Sequence, residues 1–155
     1  MEFKYKFDEV LGILLFFSAA TLFASLFSCL NNVIWLDEYF TLYSVVTLPF
    51  NQMIHNIVMD VHPPLYYFIL YLVFQILEFF KVSFNEIFVG KLFSLVPIGL
   101  LLIFNLVVIK KEFGWLFCGI YSLCIVALPN FMFYWTEIRM YSLLLLLVFL
   151  DFFYS

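Results

Sequence analysis

The chain has 155 residues, 66% of them apolar or aromatic and only 12% charged, with a formal net charge of −4. Soluble domains run at about half apolar and a quarter charged, and a domain this small leaves much of its surface in water, so the composition predicts an integral membrane protein. Its seven basic residues form no cluster, which excludes nucleic-acid binding.

Residues 10–36, 92–109 and 113–136 contain no Asp, Glu, Lys or Arg. A hydrocarbon core of about 30 Å needs about 20 helical residues, so each stretch is long enough to cross. The first expected span covers about 10–30, after Lys4 and Lys6 and before Asn31-Asn32. It exceeds the apolar core of a secretory signal and more spans follow, so an uncleaved first helix is expected. Lys4 and Lys6, against no Lys or Arg from 7 to 80, put the N-terminus in the cytoplasm by the positive-inside rule.

Residues 31–86 then form a long extracytoplasmic loop. Pro49, Asn51, Gln52, His55 and Asn56 make its middle a poor span. Two short interfacial helices are expected, one on each side of Pro49, with His55 on a polar face. In 65–80, Tyr66, Tyr67, Tyr71, Phe74, Gln75 and Glu78 share one helical face and Leu65, Phe68, Ile69, Leu72, Val73, Ile76, Leu77 and Phe80 the other. That division suits a juxtamembrane helix half-sunk in the interface. In the rival reading 65–80 crosses and everything after it is inverted. Basic residues then divide five inside to two outside, against four to three. The interfacial reading is preferred because it gathers the polar motifs on one membrane face.

Further spans are expected at about 87–109, with Lys91 near one end and a kink at Pro97-Ile98-Gly99, at 113–135 after a turn at Lys110-Lys111-Glu112, and at 141–155. The fold class is therefore all-α integral membrane, with about four transmembrane helices plus juxtamembrane helices in a long first external loop, as one module over 1–155. The last apolar run ends without a flanking loop, which suggests the front part of a longer protein. Cys29, Cys118 and Cys124 lie in apolar runs without metal-ligand spacing and are expected to act as small hydrophobes.

Three polar stretches carry the chemistry. Asp37-Glu38 either begins a helix, whose N-terminus favours acids, or supplies a general base and its partner. In Asp60-Val61-His62-Pro63-Pro64, Pro63 holds His62 extended, and i, i+2 side chains of an extended segment point the same way. Asp60 and His62 could then face a cation or phosphate together; the alternative is a helix start with Pro64 in the first turn. Glu137-Ile138-Arg139-Met140-Tyr141 puts an acid, a base and a phenol at the mouth of a span. Glu137 and Arg139 either pair with each other in the loop, or Arg139 binds a lipid phosphate, which its planar fork suits.

A first span, then Asp-Glu, then Asp-x-His-Pro-Pro-Leu-Tyr-Tyr, then Glu-x-Arg-x-Tyr opening a Leu-rich span resembles the polyprenyl-phosphate-sugar-dependent glycosyltransferases of the GT-C superfold. The nearest branch holds protein O-mannosyltransferases, aminoarabinose transferases and lipopolysaccharide galacturonosyltransferases, and the likeness covers roughly Leu11 to Leu150, their N-terminal module. The resemblance implies sugar transfer from a polyprenyl-phosphate donor at the extracytoplasmic face of the cell membrane. It gives Asp37 as catalytic base with Glu38 as its partner. His62, Lys91, Arg139 and Tyr141 fall toward the lipid phosphate, and Asp60 and Glu137 toward a divalent metal cation of unknown identity. Lys91 stands where many relatives have Arg, keeping charge but not bidentate geometry. Family members continue with many more spans, so this chain alone is expected to lack transferase activity. The competing class is a non-enzymatic polytopic membrane protein, a transporter subunit or assembly partner, whose acids are structural.

Overall fold

A computed structural model of the chain describes the backbone of residues 2–59, 63–127 and 129–154, and the side chains of 5–59, 63–127 and 133–153. Among the described residues the fold is all-helical. Its elements are α1 (Glu2–Ser25), α2 (Leu36–Leu42), α3 (Phe50–Val58), α4 (Leu65–Phe79), α5 (Glu86–Phe104), α6 (Lys110–Ala127), α7 (Pro129–Thr136) and α8 (Tyr141–Tyr154). Two helical stretches, Tyr5–Cys29 and Glu86–Ala127, are long and apolar enough to cross a membrane.

The second stretch folds back on itself. Gly114 sits at φ 85°, ψ 177° inside α6, a conformation that only glycine adopts without strain. The Asn105 Nδ2 amide donates to Ser122 Oγ at 3.2 Å; on one straight helix those residues would lie about 25 Å apart. Helix α5 thus runs on through a π-helical turn at Asn105–Ile109 to Phe113, and Trp115–Ala127 returns beside it. The turn expected at Lys110–Glu112 is corrected: those residues are helical, and the reversal falls at the first position without a Cβ. Within the expected span 113–135, residues 115–127 and 129–135 are helical. The segment expected to cross at 141–155 is helical as α8.

Helix α1 packs in parallel along the returning leg of α6. A Cβ on Gly12 would collide with the backbone of Trp115 and Leu116, and one on Gly119 with the Gly12 carbonyl oxygen. This is the close backbone approach that small residues permit between membrane helices. On the other side, α5 and α8 run in parallel, with Phe104 edge-on to Phe149 and Phe153 at ring-centre distances of 5.4 and 5.1 Å. Leu26, Leu30, Leu95, Ile98, Leu101, Val126 and Trp135 fill the core between these helices.

A second core lies in the 36–80 region. Leu42 and Val45, from α2 and the π-helical turn Tyr43–Thr47 that follows it, meet Met53 and Ile57 of α3 and Tyr66, Tyr67, Leu70 and Phe74 of α4, closed by Ile138. Pro49 separates the two short helices and caps α3, whose Gln52 and His55 face outward. Pro64 directly precedes α4. At its other end the Lys81 and Val82 amides return to the carbonyls of Glu78 and Leu77, at 2.9 and 3.1 Å. That Schellman motif places Lys81 at φ 51°, where glycine is usual.

The structure settles which face of α4 turns inward. Tyr66, Tyr67 and Phe74 are buried in the protein, while Leu65, Phe68, Leu72 and Ile76 are exposed. The tyrosine stripe turns inward because a partner waits there: the Tyr66 hydroxyl and Ser94 Oγ of α5 share a 2.7 Å hydrogen bond. A phenol satisfied in this way can be buried at little cost.

Candidate functional site

Adjacent carboxylates open α2 and meet opposite environments. Glu38 is 1% exposed. Its Oε2 accepts the Trp35 amide at 2.9 Å, closing the first turn of the helix. Its Oε1 accepts the Ile138 amide, also at 2.9 Å, across 100 residues of sequence. The Lys91 ammonium, 4% exposed, lies 3.9 Å from the same oxygen. This one side chain therefore ties the start of α2 to α5 and to the turn between α7 and α8. A carboxylate so fully engaged by amides and a buried cation is held as a charged strut. That is a positioning environment for the residue the resemblance gives as the partner of Asp37.

Asp37, one residue earlier, points the other way. Its side chain is 71% exposed, and its Oδ2 accepts from Arg139 Nη2 at 3.3 Å. Arg139 is itself buried and also hydrogen-bonds Tyr141. Burial opposes its charge, but Tyr67, Tyr141 and Asp37 outweigh that, so its pKa is raised. Arg139 thus pairs with an acid from the other end of the chain in addition to sharing a loop with Glu137. Glu137 is half-buried; desolvation, followed by the negative charges of Glu38 and Asp37, raises its pKa from the ordinary value.

Asp37, Glu38, Lys91, Arg139 and Tyr141 are therefore joined in one network, with Glu137 in its field. Asp60 and His62 lie outside the described residues. Among the described residues no three His, Cys, Asp or Glu side chains are grouped as a metal ion requires, and Glu38 is already occupied by amides. The residue expected to share a metal with Glu137, Asp60, is outside that set.

Beside the network, α7 and α8 enclose an apolar cleft of about 400 Å³. Tyr134, Trp135, Tyr141, Leu144, Leu145 and Val148 line it. Tyr141 belongs to both features, since its hydroxyl meets Arg139 while its ring forms the cleft wall. Sequence reasoning missed the Ile138 and Trp35 amides, because backbone donors leave no mark in composition. It also missed the Glu38 cap: the pattern that announces one has Ser or Thr three residues before the acid, and here that position is Trp35.

Compared with protein-family models, characterised proteins and solved structures, the chain has no significant match to any of them.

Proposed function

We propose that the chain is a membrane module of a polyprenyl-phosphate-sugar-dependent glycosyltransferase of the GT-C type, with Asp37 as general base. The observation that carries this reading is an exposed carboxylate paired to a buried arginine, which in turn hydrogen-bonds a tyrosine lining an apolar cleft. A donor with a polar, anionic head and a hydrocarbon tail needs that combination. The Arg139 guanidinium would hold the lipid phosphate, and the cleft along α8 would take the first part of the tail. Asp37 would accept the proton of the acceptor hydroxyl or amide as that atom attacks the anomeric carbon. The sugar–phosphate bond breaks, and the polyprenyl phosphate departs with its charge against Arg139.

The accompanying topology keeps the N-terminus in the cytoplasm and the Asp37–Arg139 network at the extracytoplasmic face, with four segments crossing. From Lys91 to Lys110 the helix rises about 28 Å at 1.5 Å per residue, close to the roughly 30 Å of a hydrocarbon core. The Gly114 reversal brings Lys110 beside Tyr5, Asp8 and Glu9, so the two ends of that helix separate the basic N-terminal side from the network. The exposed aliphatic face of α4 suits contact with lipid.

The full engagement of Glu38 favours a second reading, a non-enzymatic membrane protein with structural acids. Transfer assays decide between them. In native membranes containing a longer form that joins this module to the further spans the reading calls for, incorporation from a panel of radiolabelled polyprenyl-phosphate sugars should depend on that form. Asp37→Asn should lower that incorporation at least a hundredfold with the fold retained, since the asparagine oxygen can still accept from Arg139, which keeps its bond to Tyr141. Unchanged incorporation in Asp37→Asn membranes would reject the base assignment, and no protein-dependent incorporation from any donor would favour the structural reading.

A further inference from the structure

At the end of the helices remote from Arg139, an open cleft of about 360 Å³ lies between the start of α1 and the Gly114 reversal. Tyr5, Asp8 and Glu9 line one wall; Lys110, Phe113 and Trp115 line the other, among their neighbours. The Lys110 ammonium stands 4.4 Å from the centre of the Trp115 ring, a cation–π contact that fixes the charge at the rim.

Two boundaries coincide here. On α1 the charged residues end at Glu9 and the apolar run starts at Val10; on α6 they end at Glu112 and the apolar run starts at Phe113. The contact of Gly12 with Trp115 and Leu116 places these two changes side by side. The cleft therefore straddles the level at which water gives way to hydrocarbon, where Tyr and Trp rings settle. Its open space at Gly114, around which nothing lies within 4 Å of a Cβ position, leaves room for a ligand to approach the backbone.

The lining offers two carboxylates and one ammonium at that level. An anionic lipid would meet Asp8 and Glu9 unfavourably, and a purely cationic ligand would meet Lys110. A zwitterion satisfies both: its phosphate toward Lys110, its ammonium toward Asp8 and Glu9. We propose that this cleft binds the headgroup of a zwitterionic phospholipid carrying a primary ammonium, of the phosphatidylethanolamine type. Three N–H donors can hydrogen-bond the two carboxylates, whereas a quaternary choline has none to give. The site is independent of the transferase reading and would exist in either class of membrane protein.

Native mass spectrometry of the full chain, purified in detergent and supplied with equal phosphatidylethanolamine, phosphatidylcholine and phosphatidylglycerol, tests this. One retained phosphatidylethanolamine should predominate several-fold over the other two. Asp8→Asn with Glu9→Gln should reduce that preference to the phosphatidylcholine level. Asp8→Lys with Glu9→Lys should invert it toward phosphatidylglycerol, a gain that misfolding cannot imitate. Equal retention of the three lipids by the native chain, or a preference unchanged by both double variants, would overturn the proposal.

Discussion

The two ends of the long α5–α6 helix handle charge in opposite ways. At one end Lys91 and Glu38 are both buried, and backbone amides complete the coordination of the carboxylate. At the other end Lys110, Lys111 and Glu112 are exposed, and Lys110 rests on an aromatic ring beside an open cleft. A buried charge is tolerable only with its partners fixed around it, so the Lys91 end is rigid by necessity and serves to place its neighbours. An exposed charge keeps its hydration and can exchange water for a ligand. Asp37 and Glu38 repeat the contrast within one dipeptide: the buried acid holds the frame, and the exposed acid is left facing outward on it.

The largest effect should come from breaking the rigid end. Glu38→Ala removes the acceptor for the Trp35 and Ile138 amides and leaves Lys91 buried without its counter-charge. Losing one member of such a set costs about 3–5 kcal/mol. Thermal unfolding in detergent should show that loss. Under the transferase reading activity should vanish with it, because Asp37 is placed by the same helix start. Glu38→Gln should recover part of the stability, because its amide oxygen can still accept one of the two backbone bonds. Equal stability of the native and Glu38→Ala chains would remove the case for a strut. At the other end, Gly12→Ala should be next in size. Its methyl group has no space against the Trp115 carbonyl, and such overpacking costs about 1–3 kcal/mol. Because α1 and α6 would part there, the lipid preference of the Lys110 cleft should weaken while the Asp37–Arg139 pair stays intact.

How much of this contrast was legible in the sequence follows from what each feature is made of. The all-helical class was legible because long charge-free stretches have few other ways to satisfy their backbone. The opposed ends of α5 were legible in the spacing of Lys91 and Lys110. Gly114 was visible as a residue, yet the dense charges at Lys110–Glu112 drew the expected turn three residues early, since charge marks solubility and glycine marks backbone freedom. Which face of α4 turns inward was not legible, for a different reason. Tyrosine suits both the interface and a hydrogen-bonded core, and only Ser94, 28 residues further on, decides between them. The motif acids could be named from the sequence, but nothing in the order of Asp37 and Glu38 says which is buried. That depends on where the Ile138 amide arrives from, a contact of the tertiary fold.

The smallest expected effect sharpens the comparison by titrating the edge of the network. Glu137 sits between the two regimes, half-buried and in the field of Glu38 and Asp37, with its pKa raised chiefly by desolvation. A carboxyl whose native pKa exceeds its unfolded value binds more protons folded than unfolded across the interval between them. Its contribution to stability is therefore present below the unfolded value, about 4.3, and falls as pH rises to the raised native value. Glu137→Gln removes that titration. The variant should be slightly more stable than the native chain at neutral pH and should lose the advantage on acidification through this window. Thermal midpoints measured from pH 4 to pH 7 report the difference directly. A variant less stable at neutral pH would mean that the ionised carboxylate is held by Arg139 or Lys91 strongly enough to outweigh its desolvation, and Glu137 would then belong with Glu38 among the struts.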